Sequence, residues 1–132
     1  MCIFCEIIKG NIPSYKIYED EHTYAFLDIA CDLEGHTLVI PKKHCENIFD
    51  IDDQELSYVM STAKKIAKHY KTLGYTGVNL VNCSGQDAEQ SVFHLHIHIL
   101  PRKSGDNQKI YPNLTKKEFD LKKLAERLKL DN

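Results

Sequence analysis

The amino-acid sequence predicts an α+β fold with a mostly antiparallel β-sheet. In the 132-residue chain, short β-prone runs come first, a long helical pattern follows, and further β-prone runs come after the helix. Hydrophobic residues make up 42% of the chain and charged residues 27%, so neither a disordered nor a membrane-embedded class is expected. We expect one domain over residues 1–132 with a single core and no stapling disulfides.

The N-terminal part of the sequence predicts three strands. Residues 15–19 and 23–28 are β-prone runs, and the polar turn at residues 20–22 between them indicates a hairpin. Residues 36–40 form a third run, which Pro41 closes because proline cannot donate a ladder hydrogen bond. These runs predict an antiparallel arrangement for the first half of the sheet.

The central segment predicts one long helix. Asp52 and Glu55 have the spacing of a capping box, and Gly74 is placed to end the helix. Between them, hydrophobic residues recur at the helical period on one face: Leu56, Val59, Met60, Ala63, Ile66, Ala67 and Tyr70.

Two more strands and a second helix complete the prediction. Residues 77–82 form a strand, residues 83–90 a polar loop, and residues 92–100 a further strand. Thr115 and Glu118 have the spacing of a second cap, which predicts a C-terminal helical extension over about residues 115–130. Its apolar stripe consists of Leu121, Leu124, Ala125 and Leu128.

Charge and segment composition limit the classes of partner. The formal net charge is -2 and the isoelectric point is near 6.4, so no broad basic field for nucleic acid is expected. No apolar run approaches the ~20 residues that span a bilayer, so no membrane partner is expected either. The N-terminal residues lack a basic leader followed by a long apolar stretch, and we therefore expect a cytoplasmic location.

The most informative segment is the last predicted strand, in which three histidines alternate with aliphatic residues. At the two-residue period of a strand, His94, His96 and His98 share one face. The opposite face is then aliphatic: Val92, Leu95, Ile97 and Ile99. A half-exposed strand with an ordinary polar face is the simpler interpretation, but such faces are more often built from Thr, Lys, Glu or Ser.

Two chemistries fit a row of imidazoles. His-x-His can direct two nitrogens at one zinc ion, and a neutral imidazole can instead attack phosphorus while its neighbours contact phosphate oxygens. Alternate Cα atoms on a strand lie ~6.6 Å apart, so the outer two histidines would be about 13 Å apart. That length suits an extended phosphate-bearing substrate better than a single ion.

The segment resembles the His-φ-His-φ-His-φ-φ motif, φ being hydrophobic, of the histidine triad (HIT) family of nucleotide hydrolases and transferases. The similarity covers about residues 2–102. It runs through Asp28-Ile29, residues 35–44 and residues 90–93, and into Leu100-Pro101-Arg102. The resemblance implies the HIT fold, with a five-stranded sheet and a central helix, and it implies a homodimer in which the sheets of two protomers become continuous.

The resemblance also implies catalytic roles. His96 would attack the α-phosphorus of a purine nucleotide conjugate, either an adenosine phosphoramidate or a dinucleoside polyphosphate. The reaction would then pass through a covalent nucleotidyl-histidine, and this step requires no metal. An unperturbed imidazole has a pKa of ~6.5, so a neutral fraction exists near pH 7. His98 and His36 would contact the phosphate or orient the nucleophile, and Ser91 could donate its hydroxyl to a phosphate oxygen or to the leaving group.

A nucleotide pocket is expected at the end of the second strand. The Asp28 carboxylate can accept hydrogen bonds from ribose hydroxyls, and Phe26 and Ile29 would flank the base. The remaining predicted nucleotide-binding residues are Ile3, Phe4, Ile7, Asn82 and Gln90. Plainer interpretations exist, because apolar residues are more often core and Ser91 and Asn82 flank a polar loop. Arg102 and Lys103 could meet distal phosphates, although charges at such positions are usually only solvated.

Four residues have the composition of a structural zinc site. Cys2-x-x-Cys5 alone is a weak signal, and the alternative is a pair of unligated thiols near the terminus. Bacterial HIT proteins with an N-terminal CxxC resemble this pattern, and the resemblance implies that His44 and His94 complete the site. We therefore expect one structural zinc per chain and no cofactor for the chemistry. The other three cysteines, Cys31, Cys45 and Cys83, are expected to be free thiols.

Two other functions remain open at this point. The triad could ligate a catalytic zinc in a metal-dependent hydrolase, or the protein could be a nucleotide-binding regulator with vestigial activity. The chain also departs from the family pattern at Glu89, where a glycine commonly precedes the glutamine. A carboxylate there could repel a polyanion, which leaves the choice of substrate more open than the type of reaction.

Overall fold

The computed structural model describes residues 1–110 and 114–131. Its elements in chain order are α1 (Ile3–Ile8), β1 (Lys16–Glu19), β2 (Thr23–Leu27), β3 (Thr37–Pro41), α2 (Asp53–Thr72), β4 (Gly77–Val81), a 3-10 turn (Gln86–Ala88), β5 (Ile97–Arg102) and α3 (Leu121–Leu128).

The strands form one five-stranded antiparallel sheet with the order β1-β2-β3-β5-β4. Leu38 is opposite Phe26 on one side and His98 on the other, and His98 is in turn opposite Val81. Because opposite residues share a face, this register places His98 next to the apolar side chains of β2 and β3. The predicted α+β class and antiparallel sheet are confirmed.

Helix α2 covers one face of the sheet and forms the main core with it. The Asp52 side chain accepts a hydrogen bond from the Glu55 backbone N–H at 2.8 Å, which confirms the predicted start of the helix. Its apolar stripe packs on alternate strand residues, and the buried members of this core are Ala25, Val39, Val59, Ala63, Ile66, Tyr70, Leu95, Ile97 and Ile99. Full burial of each large aliphatic side chain contributes ~1.5–3 kcal/mol.

Helix α1 packs on the opposite face, which carries the histidines. Phe4 and Ile7 are buried there with Tyr24, Phe26, Leu38 and Ile40. The sequence did not predict this helix, since six residues are too few to establish a helical period. The helix begins after Cys2, whose sulfur accepts a hydrogen bond from the Cys5 backbone N–H at 3.4 Å.

The histidine strand is shorter than predicted. It begins at Ile97 instead of residue 92, because Leu95 donates its backbone N–H to the Cys45 carbonyl at 2.9 Å and not to a strand. The predicted face of Val92 was also wrong. Val92 packs with the cluster around Phe4, on the side of the histidines, while Leu95 lies in the core under α2.

The end of the chain differs from its predicted boundaries. Helix α3 begins at Leu121 with Asp120 as its cap, so Thr115 and Glu118 lie outside the helix. None of its residues is buried. Before it, Arg102 binds both carboxylate oxygens of Asp106, at 2.8 and 3.0 Å, and donates to the Gln108 carbonyl, so the turn after β5 is held on the sheet. In the described part of the chain, no helix has the length and hydropathy needed to cross a bilayer.

Candidate functional site

A cavity of about 260 Å³ opens between α1, the end of β2 and β5. Its walls are mostly apolar, and two histidines and one carboxylate lie at one end. Nine predicted site residues line it: Ile3, Phe4, Ile7, Phe26, Asp28, Ile29, Ser91, His96 and His98. The structure therefore brings together residues from three separate parts of the sequence, as the sequence predicted.

His96 is held as a neutral ring with one free nitrogen. Its Nδ1 lies 2.8 Å from the His94 carbonyl oxygen, which can only accept, so Nδ1 carries the proton. Nε2 keeps the lone pair and has no hydrogen-bond partner among the described residues. Burial lowers the pKa of His96, and Phe4 packs edge-on against the ring with 5.2 Å between centroids. The ring is thus uncharged and fixed in orientation near pH 7.

His98 and His36 are joined directly. His36 Nε2 lies 2.8 Å from His98 Nδ1, while His36 Nδ1 lies 2.7 Å from a carboxylate oxygen of Asp32. Burial and the neighbouring histidines lower the pKa of His98 to about 4. The hydrogen bond from His36 lowers the pKa of Asp32. Asp32 was not predicted as a site residue, although a carboxylate four residues before His36 was a visible signal.

Asp28 lies at the end of β2, where it turns the chain. One carboxylate oxygen accepts from the Ala30 backbone N–H at 2.8 Å, and the other lies 3.6 Å from His36 Nε2. The second oxygen is therefore the one available to a ligand. Ser91 and Ile29 are exposed at the rim of the cavity, with Ile29 exposed to 80%.

Asn82 and Gln90 do not line this cavity, and their contact with a nucleotide stays a prediction. Gln90 is buried, and its amide binds the Glu46 and Val92 carbonyls and the Gly85 backbone N–H. Asn82 donates its amide to the His96 carbonyl at 3.1 Å. Through these hydrogen bonds, Gln90 fixes the loop that contains Gly85, and Asn82 fixes the segment that carries His96.

Arg102 and Lys103 are also engaged within the protein. Arg102 is bound to Asp106 and to Asn79, and Lys103 donates to Glu34 at 3.1 Å. Neither cation faces the cavity between α1 and β5.

A second cluster of polar side chains lies behind His96. The ligand atoms of Cys2, Cys5, His44 and His94 all lie within 4.8 Å of one another, so the cluster could hold a metal ion. The Nδ1 atoms of the two histidines are 3.2 Å apart, and Cys2 Sγ is 3.3 Å and Cys5 Sγ 3.6 Å from His94 Nδ1. Tetrahedral zinc with its usual bond lengths would separate such atoms by ~3.3–3.8 Å.

The protonation states of this cluster also fit a metal. His94 Nε2 lies 2.8 Å from the Pro41 carbonyl and must donate its proton there, which leaves Nδ1 with the lone pair that faces the cysteines. Burial lowers the pKa of His94 to about 4, so the ring is neutral. Two thiols and two imidazole nitrogens form a closed set of four donors, as in structural zinc sites.

The same geometry separates His94 from the other two members of the triad. Its Nδ1 faces the cysteines and its Nε2 is bound to Pro41, so His94 has no nitrogen left for an ion shared with His96 and His98. His98 Nδ1 is likewise bound to His36. The three rings are therefore not arranged as ligands of one ion.

Comparisons with known proteins identify close relatives. A model of the HIT domain matches residues 9–105. An uncharacterised HIT-like protein of Methanocaldococcus jannaschii is 50% identical over 108 residues, which are 82% of this chain and 84% of that protein. The adenosine 5'-monophosphoramidase HNT1 of Saccharomyces cerevisiae is 45% identical over 102 residues, or 77% of this chain and 63% of that protein. A zinc-bound histidine triad family protein of Mycobacterium smegmatis superposes with a TM-score of 0.79 at 37% identity, covering 83% of this chain and 80% of that one.

Proposed function

Because this chain belongs to the HIT family, we propose that it is a nucleotidyl hydrolase or transferase that cleaves the α-phosphorus bond of a purine nucleotide conjugate. One observation carries the proposal. The His96 ring is buried and neutral, it keeps a lone pair on Nε2, and it lines the cavity. The cavity also has a carboxylate, Asp28, at the same end as the imidazole.

The cavity walls suit a nucleoside. A purine would lie between Phe26, Ile29 and the apolar residues of α1, because flat apolar groups gain most from such walls. The ribose hydroxyls would donate to the Asp28 oxygen that Ala30 does not occupy. This placement leaves the α-phosphorus at the histidine end of the cavity.

The chemistry follows from the ring nitrogens. His96 Nε2 would attack phosphorus, forming a nucleotidyl-histidine as the leaving group departs, and water would then release the nucleotide. His98 would contact a phosphate oxygen or supply a proton to the leaving group, and Ser91 at the rim would donate to the same atoms. The His94 carbonyl accepts a hydrogen bond from His96 Nδ1, so the proton stays on Nδ1 and Nε2 is the nitrogen that reacts.

An adenosine phosphoramidate is the substrate class that the observations favour over a dinucleoside polyphosphate. Distal phosphates would need cations, and Arg102 and Lys103 are both paired with carboxylates. The relative HNT1 is named an adenosine 5'-monophosphoramidase, which agrees with an amine leaving group. Burial raises the penalty for an unpaired phosphate charge, so the pairing of Arg102 and Lys103 with carboxylates disfavours a substrate with distal phosphates.

We propose that Cys2, Cys5, His44 and His94 hold one structural zinc ion per chain. A bound zinc ion would supply folding free energy and keep the two thiols deprotonated. His94 belongs to this site, and its carbonyl accepts the His96 Nδ1 proton, so the site supports the segment that carries the candidate nucleophile. Phe4 packs edge-on against the rings of both His94 and His96. The zinc-dependent hydrolase alternative is disfavoured, because the nitrogens of His94 are directed away from the cavity.

A homodimer and a cytoplasmic location also stay proposals. β4 is an edge strand, and its Val78 and Leu80 are both exposed to 42%, which suits pairing with a second copy. Burying such side chains in a symmetric interface would remove apolar surface from water. No broad basic surface field is expected at a net charge of -2, so we propose neither nucleic acid nor membrane as a partner.

The test is a single-turnover reaction with adenosine phosphoramidate that is chiral at the α-phosphorus. We expect net retention of configuration, because two in-line displacements restore it, and an acid-labile adenylyl label on His96 after rapid quench. His96→Ala should lose at least about a thousandfold of turnover, and the exposed His69→Ala serves as the control. Inversion without a label would contradict the proposal, and nucleotide binding without turnover would favour the regulator alternative.

A further inference from the structure

Asp32 ends a row of hydrogen bonds that leads into the candidate site. Its carboxylate is 2.7 Å from His36 Nδ1, and His36 Nε2 is 2.8 Å from His98 Nδ1. The remaining nitrogen, His98 Nε2, has no hydrogen-bond partner in the described part of the chain, and His98 lines the cavity with His96. A carboxylate outside the cavity is thus connected through two rings to a nitrogen inside it.

The row has two protonation states that differ by one proton. A carboxylate only accepts, so His36 Nδ1 carries a proton in both. In the first state His98 donates from Nδ1 to His36 Nε2, and His98 Nε2 holds a lone pair. In the second state His36 is doubly protonated and donates from Nε2 to His98 Nδ1, so His98 Nε2 carries a proton.

We propose that Asp32 is a positioning residue that fixes the proton on His36 Nδ1 and stabilises the second, cationic state, so that His98 Nε2 can serve as a proton donor. This inference rests on the proposed function. When the phosphorus–nitrogen bond of the substrate breaks, His98 Nε2 gives its proton to the leaving amine, and the proton between the rings moves from His36 to His98. When water attacks the nucleotidyl-His96, its proton returns to His98 Nε2 and the second state is restored.

The surroundings of His36 agree with this role. Its side chain is buried, at 8% exposed, so a positive charge there needs a partner. Asp32 is in hydrogen-bond contact, whereas Asp28 is 3.6 Å away and is placed to serve the ligand. Among the described residues, two other titratable groups lie near His36 and His98. His96 packs edge-on against His98, and Lys109 lines a groove together with His36 and His98.

The kinetic test compares Asp32→Asn and Asp32→Ala in the full-length protein. Asn can still accept from His36 Nδ1 but lacks the charge, so kcat for adenosine phosphoramidate should fall about tenfold with KM changed less than about twofold. The alkaline limb of the kcat profile should move to lower pH, because the cationic state loses its proton more easily. Asp32→Ala should lose more, since the hydrogen bond is also gone.

Glu34→Gln is the matched control, because it removes another carboxylate from the same loop. The Glu34 carboxylate accepts hydrogen bonds from Tyr75 and Lys103 and contacts no histidine. Its pH profile should match that of the parent. An Asp32→Asn profile that coincides with the parent and with Glu34→Gln would overturn the inference.

A second measurement keeps the inference separate from the proposed function. Side-chain 15N NMR of His36 should show protonated Nδ1 in the parent and in Asp32→Asn, and a redistribution towards Nε2 in Asp32→Ala. If the parent turns over no nucleotide conjugate, the proposed function fails, and the NMR result still decides whether Asp32 positions the proton. An unprotonated Nδ1 in the parent, or a spectrum unchanged in Asp32→Ala, would refute the role of Asp32.

Discussion

Gly35 precedes His36 and allows the loop to approach β5 closely. Its φ is +81°, and a Cβ at this position would lie 3.1 Å from Pro101 Cγ and 3.6 Å from the Tyr75 hydroxyl. Gly10 has nearly the same φ, +83°, but its Cβ would meet nothing within 4 Å. The two glycines therefore separate the penalty of a left-handed backbone from the penalty of a steric contact.

The expected loss of stability can be worked out from these contacts. An alanine in the left-handed region costs ~1 kcal/mol, which is all that Gly10→Ala should lose. In Gly35→Ala the crowding against Pro101 adds ~1–2 kcal/mol, as overpacking does in a close-packed core. With an unfolding entropy of ~2.1 cal/mol/K per residue, these losses correspond to a Tm lower by about 4 °C for Gly10→Ala and about 7–11 °C for Gly35→Ala.

Thermal and urea unfolding of the two variants and the parent would measure the difference. Gly35→Ala should also lower kcat, since the loop shifts His36 relative to His98, whereas Gly10→Ala should not. Equal stability of the two variants would refute the close approach of Gly35 to Pro101. A loss of stability without a loss of activity would show that the loop can shift without moving His36.

Three further predictions concern the metal cluster, the loop and acid stability. Cys5→Ser should lose the bound zinc and a large part of the stability, because it removes a proposed ligand. Cys83→Ser removes a thiol outside the cluster and should retain both the zinc and the stability. Metal analysis and thermal unfolding would test this, and equal zinc content in the two variants would contradict the site. Glu89 has a φ of +65°, so Glu89→Gly should raise the free energy of unfolding by ~0.5–1 kcal/mol in urea melts, and no gain would mean that the strain is relieved elsewhere. The pKa of His98 is lowered to about 4 in the folded protein, whereas His98 in the unfolded chain is protonated below about pH 6.5. Stability should therefore be fully present above pH 6.5 and fall on the order of 2 kcal/mol towards pH 4, and a His98→Asn variant with the same acid-dependent loss would argue against this assignment.

The sequence predicted well what depends on local pattern. Asp52 caps α2, and the hairpin β1–β2 joins at the predicted polar turn, because capping and alternation act between neighbours in the chain. The family resemblance extended this to the cavity, where Asp28, Phe26, His96 and His98 all contribute to the wall. The sequence also predicts the four candidate zinc ligands as a set, and their side chains do converge.

Elements without a local signal were missed. Helix α1 is too short for a period, and it forms because Phe4 and Ile7 can be buried against residues far along the chain. Asp120 caps α3 instead of the predicted Thr115, because its side chain accepts a hydrogen bond from the Lys123 backbone N–H.

Only the tertiary structure decided the roles of individual polar side chains. Gln90 and Asn82 are predicted nucleotide contacts in sequence, and the structure adds the hydrogen bonds that their amides donate to the backbone carbonyls of Glu46, Val92 and His96. No role for Asp32 was predicted from the sequence, yet it lies within hydrogen-bond distance of His36. A sequence specifies which donors and acceptors exist, whereas their partners depend on distances of ~3 Å that packing between remote segments sets.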